Sequence, residues 1–332
     1  MAMHLKTADF FCGIGGIRLG FERACDKHGI GHSCVYSCDI APDACKVYEE
    51  RFGPPNPMND ITAIDENDFP DFDIALGGFP CQAFSISGKM KGFEDTRGTL
   101  FFHLARILKA KQPKAFLFEN VKNLVHHDGG KTLARIMEVL EELGYSTSFH
   151  QLNSKDFGVP QSRPRVYIVG FKKCGGGFEW PRPTDSTKRL KDILEASVDK
   201  KFFLSNKYWD FCKRHRARHE ARGNMFGYVV RSPDGVSGTV LCGGMGKERN
   251  MIKDVTPADA GPDVNPDGMR MMTPLEWERL QSFPDGWTSS VSDTGRMDLL
   301  GNSVTVNAIE AVASSLLAEL ETPVRTTVTI FD

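Results

Sequence analysis

A chain of 332 residues that is 40% hydrophobic and 25% charged has the balance of an ordinary globular protein, long enough for one large domain and a smaller one. Its formal net charge of −2 at pH 7 excludes a polycation that coats nucleic acid by charge alone. The 9 cysteines hold no CxxC pair, and an odd, scattered set reads as reduced and intracellular, not as a disulfide framework.

Leu5 to Phe11 reads as the first strand, Gly13, Gly15 and Gly16 as a turn, and Arg18 to Lys27 as a helix. Met1 to Lys6 lacks the apolar core of a signal peptide, and no window of the chain approaches a membrane span. A glycine turn between strand and helix lets backbone approach a ligand closely. The spacing departs from the dinucleotide fingerprint, and no phosphate-loop lysine follows. A nucleoside ligand without a pyrophosphate cradle fits better. A second strand, Cys34 to Ser37, leads to Asp39, where a carboxylate can accept both hydroxyls of a ribose. Asp60 and Ile61 follow a proline-rich turn and can read an adenine edge. His28 and His32 do not complete a zinc site with Cys34, Cys38 and Cys45.

Asp73 to Leu76 is a buried strand by its apolar run, stopped by Gly77, Gly78 and Pro80. Cys81 therefore lies just beyond a strand end, where α/β proteins place their chemistry. A thiolate is the strongest nucleophile a side chain offers, although a free cysteine is more often a small hydrophobe. The following Ser85-Ile86-Ser87-Gly88-Lys89 suits a phosphate backbone. Leu100 to Leu108 has a helical apolar pattern, capped by Thr96 or Thr99. Phe116 to Phe118 is a further strand and ends in Glu119-Asn120-Val121, so an acid arrives at another strand end. His126-His127-Asp128 lacks a further spaced ligand for a metal, and Thr132 to Leu143 is an amphipathic helix. Gln161-Ser162-Arg163-Pro164-Arg165 precedes the strand Val166 to Gly170, and arginines two apart on an extended segment share a face. Strands alternating with helices predict an α/β fold with a doubly wound, mostly parallel sheet.

Beyond Gly170, Cys174 to Gly177 and Trp180 to Pro183 mark a domain boundary. Residues 172–270 carry 19 basic and 13 acidic side chains, an excess of +6 against −8 elsewhere, so a nucleic acid meets this segment first. The run Lys213 to Arg222 faces phosphates or is a solvated helix face. Tyr228 to Val230 and Val236 to Leu241 read as strands joined by Pro233-Asp234-Gly235. The glycine-rich loop Gly243 to Asn250 can approach a groove, with Lys247 and Arg249 available for phosphates or guanine edges. Thr273 caps a helix opened by Pro274, Phe283 to Trp287 end it, and Val304 to Leu320 is the last helix.

The segments Pro80-Cys81-Gln82, Glu119-Asn120-Val121, Gln161 to Arg165 and Gly301-Asn302-Ser303-Val304, in this order, resemble the signature segments of the DNA (cytosine-5) methyltransferases of the small single-chain bacterial type. The resemblance covers nearly the whole chain. It implies a class I methyltransferase-like fold, with a discontinuous catalytic and cofactor domain (1–170 and 288–332), a smaller, strand-containing target-recognition domain (171–272) and a supporting segment (273–287). It implies S-adenosylmethionine at Phe11, Gly13, Gly15, Asp39, Ile40, Asp60, Ile61, Pro80, Leu100, Asn302, Ser303 and Val304. The family usually has Glu where Asp39 stands, so the shorter arm shifts or weakens ribose binding. It implies DNA contacts from Gln82, Ser85, Ser87, Arg97, Thr239, Gly243, Gly244, Lys247 and Arg249.

The chemistry follows from cytosine itself. C5 is a poor nucleophile until Cys81 adds to C6. Glu119 can hold N3 and the exocyclic amine, Arg165 the base carbonyl, and Arg163 the thiolate or the backbone. Such chemistry needs the base flipped out of the duplex. The expected enzyme is a monomer bound to double-stranded DNA, cytoplasmic, without metal or membrane, with a separate restriction endonuclease as its possible companion. A transfer-RNA methyltransferase using the same pocket is the main alternative. A silent DNA-binding protein conflicts with the intact catalytic set, and a nicotinamide oxidoreductase with the glycine pattern.

Overall fold

The computed structural model describes residues 3–54, 57–80, 100–172, 177–184, 187–243 and 245–322. The chain divides into two compact units: Met1–Leu152, Pro164–Pro183 and Ala308–Asp332 form the first, Asn153–Arg163 and Thr184–Asn307 the second.

The first unit is built on one sheet. In chain order it runs β1 (His4–Phe10), α1 (Gly16–His28), β2 (Gly31–Cys38), α2 (Pro42–Phe52), β3 (Ile74–Gly77), α3 (Leu100–Lys111), β4 (Ala115–Val121), α4 (Lys131–Glu142), β5 (Ser146–Asn153) and β6 (Pro164–Phe171). The strand order is β2-β1-β3-β4-β6-β5. Strands β2, β1, β3 and β4 pair in parallel, and β4 pairs with β6 antiparallel. This is the expected doubly wound, mostly parallel sheet. Strands β3 and β4 are buried on both faces, which is why they read as apolar runs, whereas β2 at the sheet edge is mostly half-buried. Strand β5 carries no such run, because much of it is exposed.

The core packs aromatic rings across the sheet. Phe116 stacks on Phe118 with centroids 4.6 Å apart, and Tyr145 meets Phe116 edge-on. Gly170 is the register partner of Phe116, and a Cβ there would overlap the Phe116 ring. The first unit extends past the expected boundary at Gly170. Trp180 packs against Phe178 and His150, and its indole N–H donates to Ser148 Oγ at 3.0 Å, which ties residues 177–183 to β5.

The second unit holds α5 (Asn206–Glu220), β7 (Val230–Arg231), β8 (Met251–Lys253), β9 (Met269–Arg270), α6 (Pro274–Leu280), α7 (Asp293–Asn302) and the first residues of α8 (Val306–Glu321). Its small sheet runs β7-β8-β9. Val236 to Leu241 is not a strand: among the described residues it contributes a single bridge, Ser237 to Gln161. Residues 153–163 and 288–307 lie in this unit, not in the large domain as the resemblance implied. Buried amides hold them there. Gln161 Nε2 donates to the Leu280 carbonyl (2.9 Å), Gln161 Oε1 accepts from the Val240 N–H (3.0 Å), and Gln281 Nε2 donates to the Leu300 carbonyl (3.0 Å). By length and composition the stretch Asp293–Glu321 could cross a bilayer, contrary to the sequence reading; 56% of its apolar window is buried within the protein, and Ser303, Val304 and Thr305 interrupt it.

Two buried charge clusters stand out. In the second unit Arg270 and Glu276 are both wholly buried and bonded through two nitrogens, at 2.9 and 2.8 Å, while Arg270 Nε donates to Asp254 at 2.7 Å. Glu276 also closes the capping box with Thr273 that starts α6. In the first unit Asp9 is wholly buried, and Tyr48 Oη donates to its Oδ2 at 3.2 Å. Burial pushes the Asp9 carboxyl up from 3.8 to about 7, against the pull of Arg18.

Each cluster sets an expected outcome. Glu276→Ala leaves Arg270 buried with less compensation and is expected to cost about 3–5 kcal/mol in urea unfolding, whereas replacing Arg270 and Glu276 together by Met and Leu is expected to cost far less. Folded Asp9 holds its proton up to about pH 7, while the unfolded chain loses it near 3.8. Stability is therefore expected to fall as pH rises through that window, by on the order of 4 kcal/mol at full effect. Asp9→Asn is expected to remove that slope in unfolding curves taken from pH 4 to 8.

Candidate active site

The site of the first unit forms where parallel strands end. β3 stops at Gly77, whose register partner on β4 is Phe118. β4 continues for three more residues, Glu119 to Val121, because antiparallel β6 keeps pairing with it down to Arg165. Glu119 and Asn120 were expected just past a strand end; they lie on the last turn of pleat beyond their parallel neighbour. They consequently stand beside the chain as it leaves β3. A Cβ on Gly78 would be 3.6 Å from Glu119 Oε2, and Asn120 Nδ2 donates to the Phe79 carbonyl at 2.8 Å. The segment that leads to Cys81 is thus held at its start by Asn120 and passes beside Glu119.

Glu119 and Arg165 form a nearly buried pair, with Arg165 Nε 3.0 Å from Glu119 Oε1. Register explains it. Arg165 faces Val121 and Tyr167 faces Glu119, so Arg165 is the diagonal neighbour of Glu119 on one face. Arg165 Nη1 also donates to the Pro164 carbonyl at 2.9 Å. Arg163, expected on the same face, instead serves the second unit. Its guanidinium donates to the carbonyls of Val240 (2.9 Å), Gly301 (3.0 Å) and Ser303. Of its two expected roles, these bonds carry the holding of backbone.

The glycine turn after β1 is held by the acid at the end of β2. Gly13 N–H donates to Asp39 Oδ2 at 2.8 Å, and Ala41 N–H to Oδ1 at 2.9 Å. Phe11 takes a left-handed φ of 53°, and Gly13 a φ of 52° with open space where a Cβ would stand. Gly15 caps α1 at φ 80°, and a Cβ on it would overlap the Phe52 ring. Arg18 stacks over that ring, 4.1 Å from its centroid, and donates to Glu22 (2.7 Å) and Tyr48 (3.3 Å). The chain Asp9, Tyr48, Arg18, Phe52 therefore supports the turn from beneath. Sequence reasoning missed Asp9 and Tyr48, and named Asn120 in the segment Glu119-Asn120-Val121 without its partner Phe79, because these partners are far away in the chain.

The other cofactor candidates are arranged as follows. Ile40 is exposed, and Ile61 is buried with its carbonyl accepting from Arg106 at 2.7 Å. The Asp60 carboxylate accepts from Thr62 N–H at 2.8 Å, which holds its pKa below the usual range. Phe11 and Leu100 pack against the main core, and Pro80 is exposed. An open glycine turn, an aromatic ring and two carboxylates are the donor set that a nucleoside with ribose hydroxyls and an amino group needs. In the second unit, Asn302 Oδ1 accepts from the Cys242 thiol at 2.9 Å, and a Cβ on Gly301 would overlap the Leu241–Cys242 backbone.

Among the DNA candidates, Thr239 Oγ1 donates to the Ser162 carbonyl at 2.9 Å, Gly243 has φ 75°, and Lys247 and Arg249 lie on the helical turn Lys247–Asn250. Arg249 stacks 5.1 Å over Phe226. Buried Asn250 accepts from Gly238 N–H (2.8 Å) and Arg231 Nε (3.1 Å), which fixes the approach to Thr239. Cys81, Gln82, Ser85, Ser87, Arg97, Gly244 and the helix caps Thr96 and Thr99 lie outside the described residues. No cluster of three or more metal-ligating side chains occurs among the described residues.

Residues 5–318 match the family of C-5 cytosine-specific DNA methylases. The chain is 46% identical over 325 residues to the Type II methyltransferase M.HpaII of Haemophilus parainfluenzae, covering 94% of this chain and 89% of that one. It is 43% identical over 320 residues to M1.ScrFI of Lactococcus lactis subsp. cremoris, covering 95% and 79%. The S. pombe Dnmt2 methyltransferase structure superposes with a TM-score of 0.74 at 20% identity, over 96% of this chain and 99% of that one, and shares its fold. The chain belongs to the C-5 cytosine-specific DNA methylases, enzymes that use S-adenosylmethionine to methylate C5 of a flipped-out cytosine through a cysteine nucleophile.

Proposed function

We propose that Cys81 is the nucleophile, Glu119 and Arg165 hold the flipped cytosine, and the turn around Phe11, Gly13 and Asp39 holds the cofactor. The observation that carries this reading is the Glu119–Arg165 pair beside Gly78, three residues before Cys81. Six of the other thiols support it by contrast. Burial pushes Cys12, Cys25, Cys34, Cys38, Cys45 and Cys212 up, so each is a poor thiolate.

The Cys81 thiolate adds to C6, and the electron pair released into the ring makes C5 nucleophilic. Glu119 bonds the N3 edge and the exocyclic amine, and Arg165 the base carbonyl, where negative charge develops. The ion pair keeps both side chains in one orientation before the base arrives, which lowers the reorganisation needed in the reaction. S-adenosylmethionine, when bound, supplies an electrophilic methyl group. After C5 is methylated, loss of its proton returns an electron pair to the ring and breaks the C6–sulfur bond.

Phe11 offers a ring face, Asp39 accepts ribose hydroxyls with its remaining lone pairs, and Asp60 reads the adenine edge. Asn302, Ser303 and Val304 belong to the same proposed set through the family resemblance. The second unit reads the site in duplex DNA through Thr239, Lys247 and Arg249, with Gln82, Ser85, Ser87 and Arg97 on the backbone. A cytoplasmic bacterial enzyme acting as a single copy beside a restriction endonuclease fits the designation of the relatives as Type II methyltransferases.

Labelled methyl from the cofactor is expected in duplex DNA and not in transfer RNA; the reverse would overturn the DNA assignment. Glu119→Gln is expected to lower the methylation rate by about 10²–10⁴-fold with DNA affinity little changed. Asp39→Ala removes the anchor of Gly13 as well as a ribose acceptor. Calorimetry is expected to show cofactor affinity lowered by at least about tenfold, and an unchanged affinity would refute the role of Asp39.

A further inference from the structure

Helix α5 carries two kinds of cation. Lys213 pairs with Asp210 at 2.8 Å, and Arg216 with Glu220 at 2.6 Å. Arg216 also donates to the Tyr228 carbonyl at 2.7 Å, so it holds the following loop onto the helix. Lys207, Arg214 and Arg218 are exposed, and no ion pair is seen for them among the described residues. Together with Phe211 they are spaced four, three and four residues apart, which puts all four on one face of the helix.

That face is not only charged. Phe211 is 41% exposed and Phe226 is 42% exposed. Rings continue from Phe211 to His215 (5.8 Å), His215 to His219 (4.6 Å) and His219 to Phe226 (5.1 Å). The ladder ends at Arg249, which stacks on Phe226 instead of pairing with an acid. A helix face that is merely solvated would intersperse carboxylates, as the Asp210 and Glu220 positions do, and would not leave Phe211 exposed on it with Phe226 exposed beside its flank. Exposed cations that form no ion pair among the described residues, with Asp210 as the one acid that feels the charge of Arg214, next to exposed rings and a ring ladder that reaches Arg249, have the chemistry of a surface for a sugar–phosphate backbone.

We propose that the Lys207–Phe211–Arg214–Arg218 face of α5 binds the backbone of duplex DNA flanking the methylation site. It rests on the reading of this chain as a duplex-DNA methylase and adds a second contact surface to it. From Lys207 to Arg218 the helix rises about 16 Å, roughly five base-pair steps of 3.4 Å along one strand. Three cations there contact phosphates without reading sequence, so they add affinity for longer duplexes of any flanking sequence.

The test is the salt dependence of binding to a 30-base-pair and a 12-base-pair duplex, each with the target at its centre, by fluorescence anisotropy between about 50 and 200 mM salt. In the wild type the longer duplex is expected to give the steeper slope of log affinity against log salt. The triple variant K207Q/R214Q/R218Q is expected to lose about 2–3 units of that slope on the long duplex, at about 0.9 per phosphate, and to keep the slope of the short one. The single variant Arg214→Gln, expected to lose about one unit, serves if the triple variant misfolds. An unchanged slope on the long duplex, or an equal loss on both lengths, would overturn the inference and leave the face to a protein partner or a second copy. Failure of the wild type to methylate DNA at all would instead overturn the underlying functional reading.

Discussion

The site depends on a mismatch of strand lengths. β3 ends at Gly77, while β4 runs on to Val121 because it has an antiparallel partner on its other side. Here Glu119 overhangs the neighbouring strand and remains nearly buried, with Arg165 as its diagonal partner. A carboxylate and a guanidinium removed from water interact more strongly with each other and with a polar ligand than they would at a surface. Had β6 joined in parallel, its arginine would not reach that carboxylate from the same register.

In each unit the protein spends buried polar groups on backbone geometry. Asp39 ties the glycine turn through the Gly13 N–H and the start of α2 through the Ala41 N–H. Asn120 ties Phe79, Gln161 and Gln281 tie loops of the second unit, and Arg163 ties three carbonyls there. Most are long-range contacts from a side chain to backbone, either in loops, as at Gly13, Phe79 and Val240, or near helix ends, as at Leu280, Leu300 and Gly301. Such bonds fix loops that have no ladder of their own, and they give the positioning that catalysis by held groups requires.

What the sequence made legible follows the same division. Strands β3 and β4 were readable because burial on both faces makes them apolar runs, and helices α1, α3, α4 and α6 because their periodicity is local. Glu119 and Arg165 were legible as a pair of interest because both lie near ends of such runs. Strand β5 was not, being largely exposed, and Val236 to Leu241 was misread, because its apolar residues serve loop packing and its backbone bonds Gln161. Arg163 and Arg165 look equivalent in sequence, yet only three-dimensional partners separate them. The boundary near Gly170 was misplaced because Trp180 returns to the large unit, a contact no composition shift reveals. Asp9 reads as one more residue of a strand, and only its full burial shows that it is a proton-holding support for the turn.

The central claim is that the chain beyond the overhang delivers a nucleophile to the base held by Glu119 and Arg165. The most direct measurement is mass spectrometry of the wild-type protein incubated with S-adenosylmethionine and a duplex carrying 5-fluorocytosine at the target, followed by digestion and peptide mapping. Fluorine at C5 cannot leave as a proton, so the account predicts a stable adduct of one nucleotide on the peptide that contains Cys81. Methyl transfer to the normal duplex with no adduct on that peptide, or an adduct on another cysteine, would contradict it.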